Sequence, residues 1–366
     1  MRRTLSGSLL QKSRREFLRN TLTSGIAFSI APSILSAQAT RGLLSTDATT
    51  DPYALVDPEL VPALNAMPKW VLNSQTLPLI RQQEKGSVVQ PLPPPAPQPV
   101  ERRIPGPAGA PELKLIIVDP APGGKGRPAL LHTHGGGYVG RSAALAVNFL
   151  QTAAQSCNCV VASVEYRLAP ETRFPGSLED NYTALRWLYT NADALGVDRK
   201  RIAVGGESAG GGHAAALAIA ARDRKEIPLV FQLLIYPMLD DRTGSSRPVP
   251  SHIGEFIWTA QSNVFGWTSL LGVPAGSPKV PAGAVPAREE NLSGLPPAFI
   301  VVGAIDLFVD EDIEYARRLI AAGVPAELHV VPGAYHGYDL LVPKAAVTAR
   351  FTEYWTTALR RALASS

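Results

Sequence analysis

The sequence predicts an α/β protein, a mainly parallel central sheet with helices on both faces and a helical cap. Three observations carry that expectation. From about residue 113 onward, short apolar runs alternate with longer helical segments, the pattern of strands joined by crossover helices. One run, Arg201–Val204, ends in glycines and turns at once into a helical segment starting at Ala209. The 366 residues, 45% hydrophobic and 18% charged, exclude a disordered, collagen-like or coiled-coil chain and suffice for a large core.

The first 39 residues read as an export leader. Ser13-Arg14-Arg15-Glu16-Phe17-Leu18 resembles a twin-arginine signal, and a modestly apolar run follows from Thr21 to Leu35. Ala37-Gln38-Ala39 supplies small residues for cleavage after Ala39. The run holds Gly25 and Pro32 among several Ser and Thr, so it is a poor membrane span, and no stable insertion of the mature chain is expected. A retained N-terminal anchor is the alternative. The resemblance implies a bacterial periplasmic or secreted destination. This leader carries six basic residues against Glu16, while the whole chain is only +4, so residues 40–366 sit near −1. A body near neutrality gives no reason to expect a nucleic-acid partner.

Residues 40–110 read as N-terminal cap helices and a linker. The stretch Asp51 to Gln83 reads as helical and amphipathic, with Leu55, Leu60, Leu64, Trp70 and Leu72 among its apolar positions. Pro91 to Pro99 favours polyproline geometry and reads as a semi-rigid spacer.

Residues 111–366 form the main domain. Strands are predicted at Leu113–Asp119, Ala129–Thr133, Cys159–Glu165, Arg201–Val204, Leu229–Ile235, Ala298–Val302 and Glu327–Val331. Helices are predicted at Ala143–Ser156, Ser177–Thr190, Ala209–Ala221 and Ala345–Leu363. Between Pro237 and Pro297 the alternation lapses, and a cap insertion is expected at about 240–295. The cysteines Cys157 and Cys159 would be two apart on a strand, with Cα atoms about 6.5 to 7 Å apart, at the far edge of disulfide reach. They read as two small buried residues rather than a staple or a metal site.

Gly206-Glu207-Ser208-Ala209-Gly210 stands at the strand-to-helix turn. There G-x-S-x-G has a mechanical meaning: the serine occupies a sharp, strained turn, and small neighbours let the chain bend and the helix pack close. The helix N-terminus also points N–H groups toward developing negative charge. The competing reading is a glycine-rich turn with an inert serine. His134-Gly135-Gly136-Gly137 follows another strand, and its amides, with that of Ala209, suit an oxyanion. His132 and His134 also raise a metal pair, which lacks a convincing further ligand.

A serine nucleophile needs a base, and the base an orienting carboxylate. His213 and His329 fall inside a helix and a strand, and His252 inside the cap. His336 lies in a glycine-flanked loop just past the last strand. Asp306 closely follows strand Ala298–Val302, whereas Asp310, Glu311 and Asp312 read as first-turn helix acids. The order Ser208, Asp306, His336 is that of an α/β-hydrolase, with all three at carboxyl ends of strands.

These residues together resemble the hormone-sensitive-lipase-like branch of bacterial α/β-hydrolase esterases. The resemblance rests on His134 to Gly137, Glu165-Tyr-Arg-Leu-Ala-Pro-Glu171, Gly206 to Gly211, Asp306 with Asp310, and His336-Gly-Tyr338, and covers most of residues 52–364. It implies Ser208 as nucleophile, His336 as base and Asp306 as its orienter, with Gly136, Gly137 and Ala209 as the oxyanion hole. The N-terminal helices and the insertion would cap an acyl pocket, for which Tyr138, Phe256, Trp258, Phe265 and Trp267 are candidate lining residues. Glu207 and Glu165 depart from the branch, which more often has Asp at both places. The function implied is hydrolysis of short- to medium-chain carboxylic esters by a monomer or homodimer, with a small-molecule ester as partner and no metal or organic cofactor. A serine peptidase or amidase on the same residues, and a non-catalytic binding protein on the same fold, are the alternatives.

Overall fold

The strand that ends at Glu207 is the centre of the molecule. In the computed structural model, which describes residues 51–67 and 71–364, it is one of eight strands in a single sheet. These are β1 (Pro99–Ile104), β2 (Leu113–Val118), β3 (Arg127–Thr133), β4 (Val160–Glu165), β5 (Val197–Glu207), β6 (Phe231–Ile235), β7 (Ala298–Gly303) and β8 (Ala326–Val331). Their spatial order is β1-β2-β4-β3-β5-β6-β7-β8. β2 pairs antiparallel with β1 and β4, and every later pair is parallel. The predicted leader and Trp70 lie outside the described residues.

The helices of the main domain are α3 (Val147–Cys157), α4 (Gly176–Thr190), α5 (Ala209–Arg224), α6 (Ala260–Leu271), α7 (Val309–Ala321), α8 (Tyr338–Leu341) and α9 (Ala346–Leu363), preceded by α1 (Val61–Ala66) and α2 (Leu77–Gly86). Burial divides the core by sheet face. Leu150 and Ala153 of α3 pack with Phe351 and Trp355 of α9 against one face. Leu185 of α4, Leu217 of α5 and Leu319 of α7 pack against the other. β3 is buried along its whole length, as a parallel strand covered on both sides must be.

Three expectations need correction. The helical stretch over 51–83 is two short helices, because Pro62 and Pro78 each open a new first turn and cannot continue an earlier one. Asn73 fixes the second start by accepting from the amides of Gln75 and Thr76. The proline-rich stretch is pinned to α3 rather than free-standing: Leu92 N–H donates to Gln151 Oε1 at 2.7 Å, and Gln151 Nε2 donates to the carbonyls of Leu92 and Pro97. It runs directly into β1, an edge strand whose exposed Glu101, Arg102 and Arg103 carry no apolar alternation. Finally, Cys157 closes α3 and left-handed Asn158 separates it from Cys159, so the two free, buried cysteines do not share a strand face.

The insertion contains a helix that its sequence hid. α6 is capped by the Thr259 side chain, which accepts from Ser262 N–H, and it ends on Gly272 at φ +71°. Among the described residues, no helix is long and apolar enough to cross a membrane.

Candidate active site

Three strand ends deliver the chemistry. β5 stops at Glu207, and Ser208 takes φ +57°, ψ −123°, a strained left-handed turn into α5. The close approach explains the glycines. A Cβ on Gly206 would sit 2.2 Å from the Thr133 carbonyl oxygen, and one on Gly210 would sit 2.0 Å from the same atom. The strained residue is clamped on both sides, with Ser208 N–H donating to Ile235 O and Met238 N–H to Ser208 O, each at 2.9 Å. Its side chain therefore stands at the carboxyl edge of the sheet, where a topological switch leaves a crevice.

Ser208 Oγ lies 2.9 Å from His336 Nε2, and His336 Nδ1 lies 2.8 Å from Asp306 Oδ2. A buried carboxylate only accepts, so the Nδ1 proton belongs to His336 and leaves Nε2 free to accept from the serine hydroxyl. Asp306 is 1% exposed and its second oxygen accepts from Phe308 N–H at 3.0 Å, which fixes both ends of the carboxylate. Aromatic rings hold the imidazole in plane. Tyr236 and Phe308 meet it edge-on at 4.8 and 5.1 Å, and Trp258 lies 6.3 Å away.

The glycine segment after β3 faces the serine. Gly136 has φ +120° and Gly137 φ +60°, which L side chains rarely adopt. Among the described residues, the amides of Gly136, Gly137 and Ala209 donate to no other group. Three free donors beside a serine hydroxyl can stabilise a negatively charged tetrahedral oxygen.

The remaining histidines have other partners. His132 Nε2 bonds Glu207 Oε2 at 2.9 Å and its Nδ1 bonds Ser163 Oγ at 2.8 Å. His134 donates to Gly135 O and stacks on Tyr166. Burial pushes both His134 and His213 down to about 3, so they are neutral packing groups. His329 bonds Glu327 and stacks on Tyr354, and His252 is exposed.

The proposed lining residues separate. Trp258 lies against Gly137, whose Cβ, if present, would fall 2.1 Å from the indole ring. Its Nε1 donates to Asn263 Oδ1, which ties the ring to α6. Phe256 stacks with Tyr53 and leans on Tyr335, and Phe265 packs half-buried against the core. Tyr138 and Trp267 are core residues instead. Each is at most 2% exposed, they pack on one another at 4.9 Å, and the Tyr138 hydroxyl donates to Met238 O. With its hydroxyl satisfied by the Met238 carbonyl and its ring packed on Trp267 and His213, Tyr138 has no face left for substrate.

Two acids have partners that the sequence does not announce. Glu311 lies in the first turn of α7 but is buried, and its Oε1 accepts from the amides of Leu239 and Asp240, anchoring the chain where it leaves β6 for the insertion. Asp339 accepts from the Tyr236 hydroxyl at 2.9 Å. Burial pushes its carboxyl up to about 6, and the Glu207 charge adds to the shift. The only available signal was its spacing, three residues after His336 on the short α8.

Known proteins of similar sequence and architecture include several esterases. A family profile for the alpha/beta hydrolase fold matches residues 130–340. The chain is 35% identical to the esterase LipI of Mycobacterium tuberculosis over 80% of its own length and 91% of that protein's. It is 35% identical to the carboxylesterase NlhH of the same species, over 72% and 83% of the two chains. Among solved structures, a bacterial heroin esterase superposes with a TM-score of 0.79 at 38% identity, covering 86% of this chain and 99% of that one. An esterase of Pyrobaculum calidifontis does so at 0.72 and 30%, covering 84% and 100%.

Proposed function

The chain belongs to the hormone-sensitive-lipase-like branch of the α/β-hydrolases, and from that premise we propose that it is a serine carboxylesterase working through an acyl-enzyme on Ser208. The observation that carries the reading is the hydrogen-bonded series Asp306, His336, Ser208 standing beside three free amides. Ser208 Oγ attacks the ester carbonyl carbon as His336 Nε2 takes its proton. The carbonyl oxygen gathers charge against the Gly136, Gly137 and Ala209 amides, each such donor being worth about 3 kcal/mol. His336 then gives its proton to the leaving alkoxide, and the alcohol departs. Water, deprotonated by the same nitrogen, releases the acid and restores the serine.

Substrates are small-molecule esters with short to medium acyl chains. The support is Trp258, whose ring stands against Gly137 and beside His336 and narrows the space next to the reacting carbon. Comparing p-nitrophenyl butyrate with the matching p-nitroanilide tests the reaction class. Ester turnover about a thousandfold or more above amide turnover is the expected result, and equal rates would make the chain an amidase.

The chain is also proposed to be exported as a folded protein, to the periplasm or beyond. Ser13-Arg14-Arg15 and the small residues Ala37-Gln38-Ala39 support this. Cell fractionation of an Arg14→Lys, Arg15→Lys variant tests it: the wild type should leave the cytoplasm and the variant should not. Equal distribution would remove the proposal.

A further inference from the structure

The cap helix α2 reaches the oxyanion segment through two side chains. Arg81 Nε donates to Val139 O at 2.7 Å, and Arg141 N–H donates to Glu84 Oε2 at 2.8 Å. The Arg81 fork is held from its other side by Glu171, at 2.7 and 3.0 Å, and by Ala169 O at 2.7 Å. Ala169 N–H in turn donates to Tyr138 O at 3.0 Å. Both ends of the segment Tyr138–Arg141 are thus tied to a helix some sixty residues earlier in the chain.

Peptide geometry carries that tie to the reacting oxygen. The Gly136 carbonyl and the Gly137 amide belong to one planar unit and point in opposite directions. Gly140 N–H donates to Gly136 O at 2.9 Å, and Val139 N–H donates to it at 3.0 Å. Gly140 N–H and the Val139 carbonyl also share one peptide unit, and that carbonyl is the acceptor of Arg81. A guanidinium and two peptide units, the second ending in the Gly137 amide, therefore form one hydrogen-bonded series, in which each bond orients and polarises the next. The segment needs holding. Tyr138 and Arg141 have φ of +68° and +63°, positions that cost a residue with a Cβ about 1 kcal/mol or more.

We propose that Arg81 and Glu84 are positioning residues for the oxyanion hole, aiming the Gly137 amide by docking α2 against residues 138–141. The inference rests on the reading of Gly137 as an oxyanion donor. It makes the N-terminal helix α2 part of the catalytic machinery, because undocking α2 loosens the hole.

The test compares Arg81→Met, Arg81→Ala, Glu84→Ala and Glu84→Gln with the full chain, at concentrations set by titrating the active serine with a p-nitrophenyl phosphonate. The readouts are kcat, KM and the inhibition constant of an alkyl trifluoromethyl ketone, which adds to the serine and places an oxyanion in the hole. Arg81→Met and Glu84→Ala should lower kcat about tenfold to a hundredfold, with KM within about threefold, since an ångström of misplacement costs about that much. The ketone should lose affinity by the same factor. Glu84→Gln keeps an acceptor for Arg141 N–H and should retain most of the rate. Guanidinium at millimolar concentration should partly restore Arg81→Ala. Lys85→Met, on the exposed side of the same helix, should change nothing. Wild-type kcat in the titrated Arg81→Met and Glu84→Ala proteins would overturn the proposal, and so would a fall in kcat with ketone affinity unchanged. Turnover surviving in Ser208→Ala would instead overturn the reading beneath it.

Discussion

Replacing Asp306 by Asn isolates the orienting carboxylate with almost no change of shape. Asp306 accepts two hydrogen bonds, from His336 Nδ1–H and from Phe308 N–H, one on each oxygen. An amide has one acceptor oxygen and one donor nitrogen, so it can serve only one of these donors. If the oxygen keeps Phe308, the NH2 faces His336 Nδ1, which must then accept. The imidazole proton moves to Nε2, where it points at Ser208 Oγ and the base is lost. If the oxygen keeps His336, two N–H donors face one another in a buried site. The first arrangement avoids that clash, so the wrong tautomer dominates. A tautomer error of this kind costs about 10⁴ in kcat, or about 5.5 kcal/mol of transition-state stabilisation. Folding should lose only about 1 kcal/mol, because one neutral hydrogen bond replaces a charged one. The assay is kcat for p-nitrophenyl butyrate beside a thermal melt, with Asp310→Asn as the control. Asp310 is exposed on α7, so its variant should stay within about twofold of wild type. Near-full activity in Asp306→Asn, with loss in Asp310→Asn, would refute the reasoning.

Three further outcomes follow from the geometry. Gly210→Ala places a methyl 2.0 Å from Thr133 O and should destabilise the fold by about 2 to 3 kcal/mol, read as a lowered urea midpoint; an unchanged midpoint would show that the elbow has slack. Trp258→Ala removes the ring beside Gly137 and should move the preferred p-nitrophenyl ester to longer acyl chains; an unmoved optimum would take Trp258 out of the pocket. Asp339→Asn keeps an acceptor for Tyr236 and removes a half-buried charge. The folded carboxyl, at about 6, lies above its ordinary value of about 3.9, so its favourable contribution is complete below pH 4 and is lost as pH rises through 6. The variant's stability advantage should therefore grow from near zero at pH 4 to about 3 kcal/mol at pH 7.5, and denaturation curves parallel at all pH values would contradict it.

The parts of the molecule legible in the sequence are those where one residue type answers one physical demand. Gly206 and Gly210 announce a turn with no room for a side chain, and apolar runs between helical segments announce the sheet. Ser208, Asp306 and His336 follow strand ends, so their convergence could be anticipated from chain order; the structure brings them into hydrogen-bond contact. What stayed hidden depends on distant partners. β1 is polar because it is an edge, and α6 carries Phe265 and Trp267 because it packs against the core beside Tyr138. Tyr138 and Trp267 look like pocket residues in a sequence, yet they face one another in the core. Glu311 carries the composition of a helix cap but serves amides more than seventy residues away in the chain. Local pattern carries no information about such pairings.

Steady-state hydrolysis of p-nitrophenyl esters from two to sixteen carbons, by residues 40–366 and by the same chain with Ser208→Ala, decides whether Ser208 is the nucleophile. Turnover should peak at short to medium chains and fall by about 10⁵ or more in the variant. Equal, low activity in the two proteins would contradict it, because Ser208 would then not be the nucleophile and the hydrogen-bonded series to Asp306 would have no catalytic role.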